Sequence, residues 1–232
     1  MTTLQDSDAG MDEQLRGRLL NLTSALISDA LMEMGVQPRI MDGGIRPVLP
    51  FSKAIGRAFT VAIDFEPTTP ADGQMSDSGM LRVLEDFRAS ERAPGWALVL
   101  APAARDRAML GETFSMWGRS LGLTGLFSDG PARDAHEIAG RRFPVFSRGL
   151  TPLGPYNAMR VRAVDVPVTV GGVEVRPGDV VTGDHDGIVA FDYEQAAEVC
   201  RLGTEQAAAG AAFQARLGAG APYELAAADR RA

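Results

Sequence analysis

Residues 111–134 constrain the fold more than any other stretch of this chain. They read GETFSMWGRSLGLTGLFSDGPARD. Gly111 and Glu112 open a helix, and Gly122 and Gly125 follow. A short apolar strand, Leu123 to Ser128, then runs into Asp129-Gly130, with Arg133-Asp134 just beyond. A helix followed by a strand of this kind packs side by side in an α/β unit. The helix start and the loop past the strand then share one end of the sheet, where α/β sites lie. A helix N-terminus carries free N–H groups suited to a carboxylate. The loop adds one guanidinium and one carboxylate. Together these are parts for an anionic substrate and a hard metal ion.

The rest of the pattern sets the class. Residues 1–10 read as a disordered lead-in, and helices are expected over Met11 to Leu22 and from Thr23 or Ser24 to Met34, with Gly35 as the stop. Residues 36–55 read as an extended connector. Gly56 to Phe65 is a strand, Met80 to Arg88 a helix, Trp96 to Leu100 a buried strand, and Phe143 to Phe146 another short strand. Met159 to Val170 alternates, Gly171-Gly172 turns and Val173 to Val175 returns, a β-hairpin signature. Two short strands follow around GDHDG, and an alanine-rich helix runs from Tyr193 to about Leu217. Residues 218–232 read as a loose tail or an inter-subunit arm. Helices, then β/α alternation, then a hairpin layer and a final helix give a mixed α/β domain with more than one sheet layer, over residues 11–217.

Scarcity narrows the chemistry. The net charge is −7 in 232 residues. No basic block is present, which argues against nucleic acid as a partner. No apolar run reaches the roughly 20 residues that span a bilayer, and the first residues are polar rather than a secretory leader. A cytoplasmic location is the expectation. Cys200 is the one cysteine, so no internal disulfide framework exists. Lys53 is the one lysine, and it sits in a proline-rich connector that suits a Schiff base poorly. The two histidines, His136 and His185, cannot build a three-histidine zinc site. Oxygen ligands and Mg²⁺ or Mn²⁺ fit better. His185, between Asp184 and Asp186, reads as a hydrated turn, because adjacent residues rarely converge on one ion. Asp129 reads as a cap for its turn, Asp29 as a solvated acid and Cys200 as a small buried hydrophobe.

These motifs carry a resemblance. The chain resembles the RraA-like family, and within it the 4-hydroxy-4-methyl-2-oxoglutarate / 4-carboxy-4-hydroxy-2-oxoadipate aldolases. The matching text is G-E at 111–112, G-x-x-G at 122–125 and D-G-x-x-R-D at 129–134. Ser28-Asp29-Ala30-Leu31, Gly56-Arg57-Ala58-Phe59-Thr60, Pro144 to Gly149, Pro177-Gly178-Asp179 and Asp186-Gly187 follow the family in the right order. The resemblance implies a swivelling β/β/α sandwich, assembled as homotrimers or homohexamers. It implies a class II, metal-dependent pyruvate aldolase that performs a retro-aldol cleavage, often with oxaloacetate decarboxylase activity. Asp134 would bind the Mg²⁺ (or Mn²⁺), Arg133 would contact substrate and steady the enolate oxygen, and the amides of Gly111, Glu112, Thr113 and Phe114 would hold the oxo-acid carboxylate. Glu112 would orient metal-bound water, and Glu205 is the candidate glutamate from a neighbouring subunit. Two departures stand out. Ala101-Pro102-Ala103-Ala104 replaces a family aspartate followed by glycines, and Asp77-Ser78 replaces Asp-Asn. The same family holds non-catalytic regulators of ribonuclease, and sister lyases or decarboxylases on other oxo-acids; the regulators lack the aspartate after the arginine.

Overall fold

The computed structural model describes residues 10–69, 75, 78–92 and 94–227. In chain order its elements begin with helices α1 (Glu13–Leu20) and α2 (Ser24–Glu33) and the two-residue strands β1 (Arg39–Ile40) and β2 (Arg46–Pro47). Next come β3 (Ala54–Phe65), α3 (Met80–Ala89), β4 (Trp96–Pro102), α4 (Glu112–Ser120), β5 (Leu126–Ser128), α5 (Ala135–Arg141) and β6 (Val145–Ser147). Then follow β7 (Met159–Val164), β8 (Val168–Val170), β9 (Val173–Val175), β10 (Val180–Gly183), β11 (Ile188–Phe191), α6 (Ala196–Gly218) and α7 (Tyr223–Ala226).

The main sheet runs β1-β11-β10-β3-β4-β5-β6-β2, with β3 at its centre. The β3-β4-β5-β6 block is parallel. One edge of β3 is shared, for its first half pairs antiparallel with β10 and its second half with β7. That 12-residue strand is buried along ten positions, which demands cover on both faces. Its side chains alternate accordingly. Phe59, Val61 and Ile63 join Trp96, Leu98, Leu100 and Leu126 under α3, α4 and α5. Ala54, Ala58 and Ala62, with Ala97, Val99, Phe127 and Phe146, face Val168, Val170 and Val175 of the β8-β9 hairpin. Alanines on that face let the hairpin approach closely. Ile55, Val180, Val189 and Phe191 lie under α1, α2 and the first third of α6. Hairpin, sheet and helices are therefore three layers, the β/β/α sandwich that the resemblance implies.

Local signals explain the ends of the elements. Thr23 caps α2 by accepting from the Leu26 amide, and Gly35 follows at φ 73°. The alternating stretch 159–170 is not one strand. Asp165 takes φ 53° before Val166-Pro167, which turns the chain out of the main sheet. β7 stays with β3, and β8 enters the separate two-stranded sheet with β9. The strand expected from Leu123 begins at Leu126, because Leu123 and Thr124 bond to Gly118 and Trp96 carbonyls on the way in. Within the segment read as a tail, α7 folds back on α6: Tyr223 meets Phe213 edge-on at 6.0 Å and Ala226 is buried. No helix among the described residues is long and apolar enough to cross a membrane.

Candidate functional site

Two loops run side by side at the C-terminal end of the parallel strands. Leu110 and Ala132 form a parallel bridge, and the Arg133 amide donates to the Leu110 carbonyl at 3.0 Å. This lays the start of α4 against the Arg133-Asp134 pair. Gly111 is the N-cap of α4 and offers no side chain to its amides. Asp134 is the N-cap of α5 and takes the left-handed conformation, φ 58° and ψ 41°. A non-glycine residue held there is a strained position of the kind that clusters at functional sites. Its carboxylate is thereby turned to α4, where Oδ2 accepts the Glu112 amide at 3.0 Å. Arg133 Nε lies 3.6 Å from the same oxygen. A Cβ on Gly111 would overlap Asp134 Oδ2 and stand 3.1 Å from Arg133 Cγ. A larger residue there would displace the Asp134 carboxylate.

These groups open into a cavity of about 200 Å³. Gly111, Glu112, Thr113, Phe114, Arg133 and Asp134 all line it. Ser78, Met80, Met109 and Tyr156 complete much of the wall. Arg133 is one-third exposed, with its guanidinium carbon 5.7 Å from the centre of the Tyr156 ring. Gly154 lets the guanidinium past, since a Cβ there would sit 2.6 Å from Arg133 Nη1.

The parts differ in their engagements. The Glu112 amide is already taken by Asp134, which leaves the Thr113 and Phe114 amides as the open donors of the first turn. The Glu112 carboxylate pairs with Arg141 of α5. Glu205 is not at this cavity. It lies on α6, half of a pair of acids that hold Arg201, with Arg201 Nη1 2.8 Å away.

Other sequence candidates have structural occupations. Asp129 is buried and accepts from Arg105 at 2.8 Å, from Arg148 at 2.5 Å and from the Gly171 amide at 3.1 Å. It ties the loop to the hairpin rather than merely capping a turn. Arg148 also grips Asp42, whose carboxyl is drawn down to about 2 by that guanidinium and by the Gly44 amide. Asp184 is part-buried, which raises its carboxyl. The Ser24 amide and hydroxyl and the amides of Asp186 and Gly187 outweigh that and hold it below the ordinary value. His185 stacks on Phe51 at 4.9 Å, and His136 and Asp29 are exposed. Cys200 is buried. Lys53 donates to the Leu22 carbonyl and burial lowers its pKa, while Asp184 opposes that shift. Lys53 does not line the cavity. Asp77 lies outside the described residues; Ser78 is buried at the cavity. No group of three His, Cys, Asp or Glu residues among the described residues could cage a metal.

Sequence reasoning missed Tyr156 and Arg141, while Ser78, singled out as a departure from the family pattern, does line the cavity. TPLGPYN reads as a turn-rich crossing, and nothing in its spacing shows that Tyr156 folds against Arg133.

Comparison with known proteins identifies the family. The Aldolase/RraA model of the RraA-like group matches residues 24–190. A Halalkalibacterium halodurans protein named "Putative 4-hydroxy-4-methyl-2-oxoglutarate aldolase" is 30% identical over 148 residues, 63% of this chain and 63% of that relative. The match thus spans less than two thirds of that relative's length. A crystal structure from Streptomyces coelicolor, described as RraAS2, an unusual member of the RNase ES inhibitor RraA protein family, is 26% identical. It superposes with a TM-score of 0.68 over 84% of this chain and 92% of its own. An uncharacterized Pseudomonas syringae pv. tomato protein, 24% identical, shares the fold with a TM-score of 0.75 over 93% of this chain and 97% of its own. The family model covers well over half of the sequence, and the chain belongs to the RraA-like family.

Proposed function

We propose that this chain is a divalent-metal-dependent lyase that cleaves a 4-hydroxy-2-oxo acid to pyruvate and a second oxo-acid. The observation that carries the reading is the strained Asp134, its carboxylate drawn to the open N-terminus of α4 beside Arg133. The donor set fits a hard ion. One oxygen of Asp134 is oriented by the Glu112 amide and the other is left for a ligand. Asp134 would hold Mg²⁺ or Mn²⁺, ions that keep most of their water and tolerate a single protein ligand. A softer ion that demands several nitrogen or sulfur ligands finds none here. When bound, the ion supplies Lewis-acid polarisation of the substrate's keto group.

The remaining steps belong to the chain. The Thr113 and Phe114 amides receive the C1 carboxylate, with the helix N-terminus favouring its charge. Loss of the C4 hydroxyl proton lets the C3–C4 bond break, and its electron pair moves onto the pyruvate enolate. Arg133 steadies the oxygen that gains this charge, a preorganised term of several kcal/mol. A proton delivered to C3 completes pyruvate. Oxaloacetate reaches the same enolate by losing CO₂, so decarboxylation accompanies the aldolase reaction. Glu112, held by Arg141, orients water at the rim. The chain works as a homotrimer or homohexamer in which Glu205 of one subunit serves the cavity of the next. Titration with Mn²⁺ tests the metal assignment. Saturable binding that Asp134→Asn loses supports it, and equal binding by that variant overturns it.

A second reading, an interaction protein acting on a ribonuclease, is favoured by the likeness to the Streptomyces coelicolor structure. Asp134 beside Arg133 counts against it. Capture of ribonuclease E by the pure protein, with no lyase activity, would decide for it.

A further inference from the structure

Arg133 reaches the cavity with its donors uncommitted. Among the described residues its guanidinium donates no hydrogen bond, and its one ion pair there, Nε to Asp134 Oδ2 at 3.6 Å, is beyond hydrogen-bond distance. The arginines around it differ. Arg105 and Arg148 are bonded to Asp129, and Arg141 to Glu112. A long side chain with no hydrogen bond to aim it keeps its rotamer freedom, and ordering it opposes binding. Arg133 must be aimed by something other than an acid.

Tyr156 and Gly154 are placed to do this. The Tyr156 ring centre lies 5.7 Å from the Arg133 guanidinium carbon. Gly154 admits Nη1, since a Cβ there would stand 2.6 Å from it and 3.2 Å from Tyr156 Cδ2 and Cε2. The ring in turn is fixed by the backbone on either side of it. The Thr151 amide donates to the Ala132 carbonyl at 2.9 Å and the Ala108 amide to the Leu153 carbonyl at 2.8 Å, which ties the preceding segment to both loops of the site. After the ring, Asn157 turns the chain at φ 58°, and the Thr68 and Glu66 amides donate to the Asn157 and Ala158 carbonyls at 2.7 and 2.6 Å. An acid in place of Tyr156 would also aim the guanidinium, but it would occupy N–H groups and offset the charge. An aromatic face attracts a cation through its quadrupole and takes no N–H.

We infer that Tyr156 is a positioning residue for Arg133: its ring, with Gly154 beside it, holds the guanidinium at the cavity while leaving the donors free for an anionic oxygen of the ligand. This rests on the lyase reading for the identity of that oxygen, the one that becomes the enolate. Because that charge develops in the transition state, a misaimed Arg133 lowers kcat more than it raises KM.

The test compares wild type, Tyr156→Phe, Tyr156→Leu, Arg133→Ala and the Tyr156→Leu/Arg133→Ala double variant. Two quantities are read with Mg²⁺ on the full chain: kcat and KM for pyruvate release from oxaloacetate, and calorimetric binding of oxalate, a planar dianion shaped like the enolate. Tyr156→Leu is expected to lower kcat and oxalate affinity by about 10-fold each with KM within about 2-fold, and Tyr156→Phe to recover both to within about 3-fold. In the Arg133→Ala background, Tyr156→Leu changes neither quantity further. Thermal unfolding of each variant checks the fold independently. Wild-type behaviour in Tyr156→Leu, equal losses in Tyr156→Phe and Tyr156→Leu, or losses that add to those of Arg133→Ala overturn the inference. Oxalate affinities that follow the expected pattern in a protein that releases no pyruvate sustain the positioning role and overturn the lyase reading alone. A wild type that neither binds oxalate nor releases pyruvate overturns both.

Discussion

The Glu112 amide donates to Asp134 Oδ2 at 3.0 Å across 22 residues of sequence. This bond joins the start of one helix to the cap of another. It orients a carboxylate without consuming it. Asp134→Asn keeps a carbonyl oxygen to accept that bond but loses the charge. Turnover with Mg²⁺ is expected to fall by about 100-fold or more, at unchanged circular dichroism, since charge stabilisation of this kind is worth ~3 kcal/mol or more. Steady-state kinetics beside thermal unfolding checks this, and an active Asp134→Asn enzyme removes the metal assignment.

Gly111→Ala tests the same junction from the other side. Its backbone is extended (φ −150°), so alanine meets no backbone strain there. The added methyl group instead collides with Asp134 Oδ2. Displacing the carboxylate is expected to cost about 1–3 kcal/mol of stability and most of the activity. Urea denaturation and rate measurements would show both losses together; full activity would mean that the position of Asp134 does not matter.

Asp129 sits at the root of the loop that carries Arg133 and Asp134. Asp129→Ala leaves Arg105 without its acid and Arg148 with Asp42 alone. A loss of about 3 kcal/mol is expected, the low end for breaking a buried ion pair, because Arg148 keeps one partner. Equilibrium unfolding measures it, and a change below about 0.5 kcal/mol would contradict the role given to this carboxylate.

Asp42 gives a dependence on pH. Arg148 and the Gly44 amide hold its folded carboxyl at about 2, below its ordinary 3.8. The stabilisation is present in full above pH 3.8 and is lost as pH falls through about 2. Both groups meet solvent, so its size is below ~1 kcal/mol. Asp42→Asn should flatten that part of the acid limb of a stability–pH curve while leaving the neutral region lower by the same amount. An unchanged acid limb would contradict the pairing.

Much of this was legible in the sequence, for identifiable reasons. Thr23 and Gly35 bracket α2 because a hydroxyl cap and a left-handed glycine act locally. β3 and β4 were readable as strands because burial leaves them mostly apolar, although β3 begins two residues before the expected Gly56 and β4 runs two residues past the expected Leu100. The G-E and R-D elements stood out because a helix start beside a strand end is itself a local pattern. What was not legible depends on tertiary approach. The exit of the chain at Asp165, the packing of Tyr156 on Arg133 and the pairing of Arg141 with Glu112 each join residues whose meeting no local spacing announces. Asp129 misled for the same reason. Its turn is local, but its two arginines come from 24 residues before it and 19 after.

The most direct test of the central claim is pyruvate release from 4-hydroxy-4-methyl-2-oxoglutarate and from oxaloacetate, with Mg²⁺ and with EDTA. The account predicts release from both substrates with Mg²⁺ and none with EDTA. Release that EDTA leaves untouched would contradict the metal-dependent mechanism, and no release from either substrate would contradict the lyase itself.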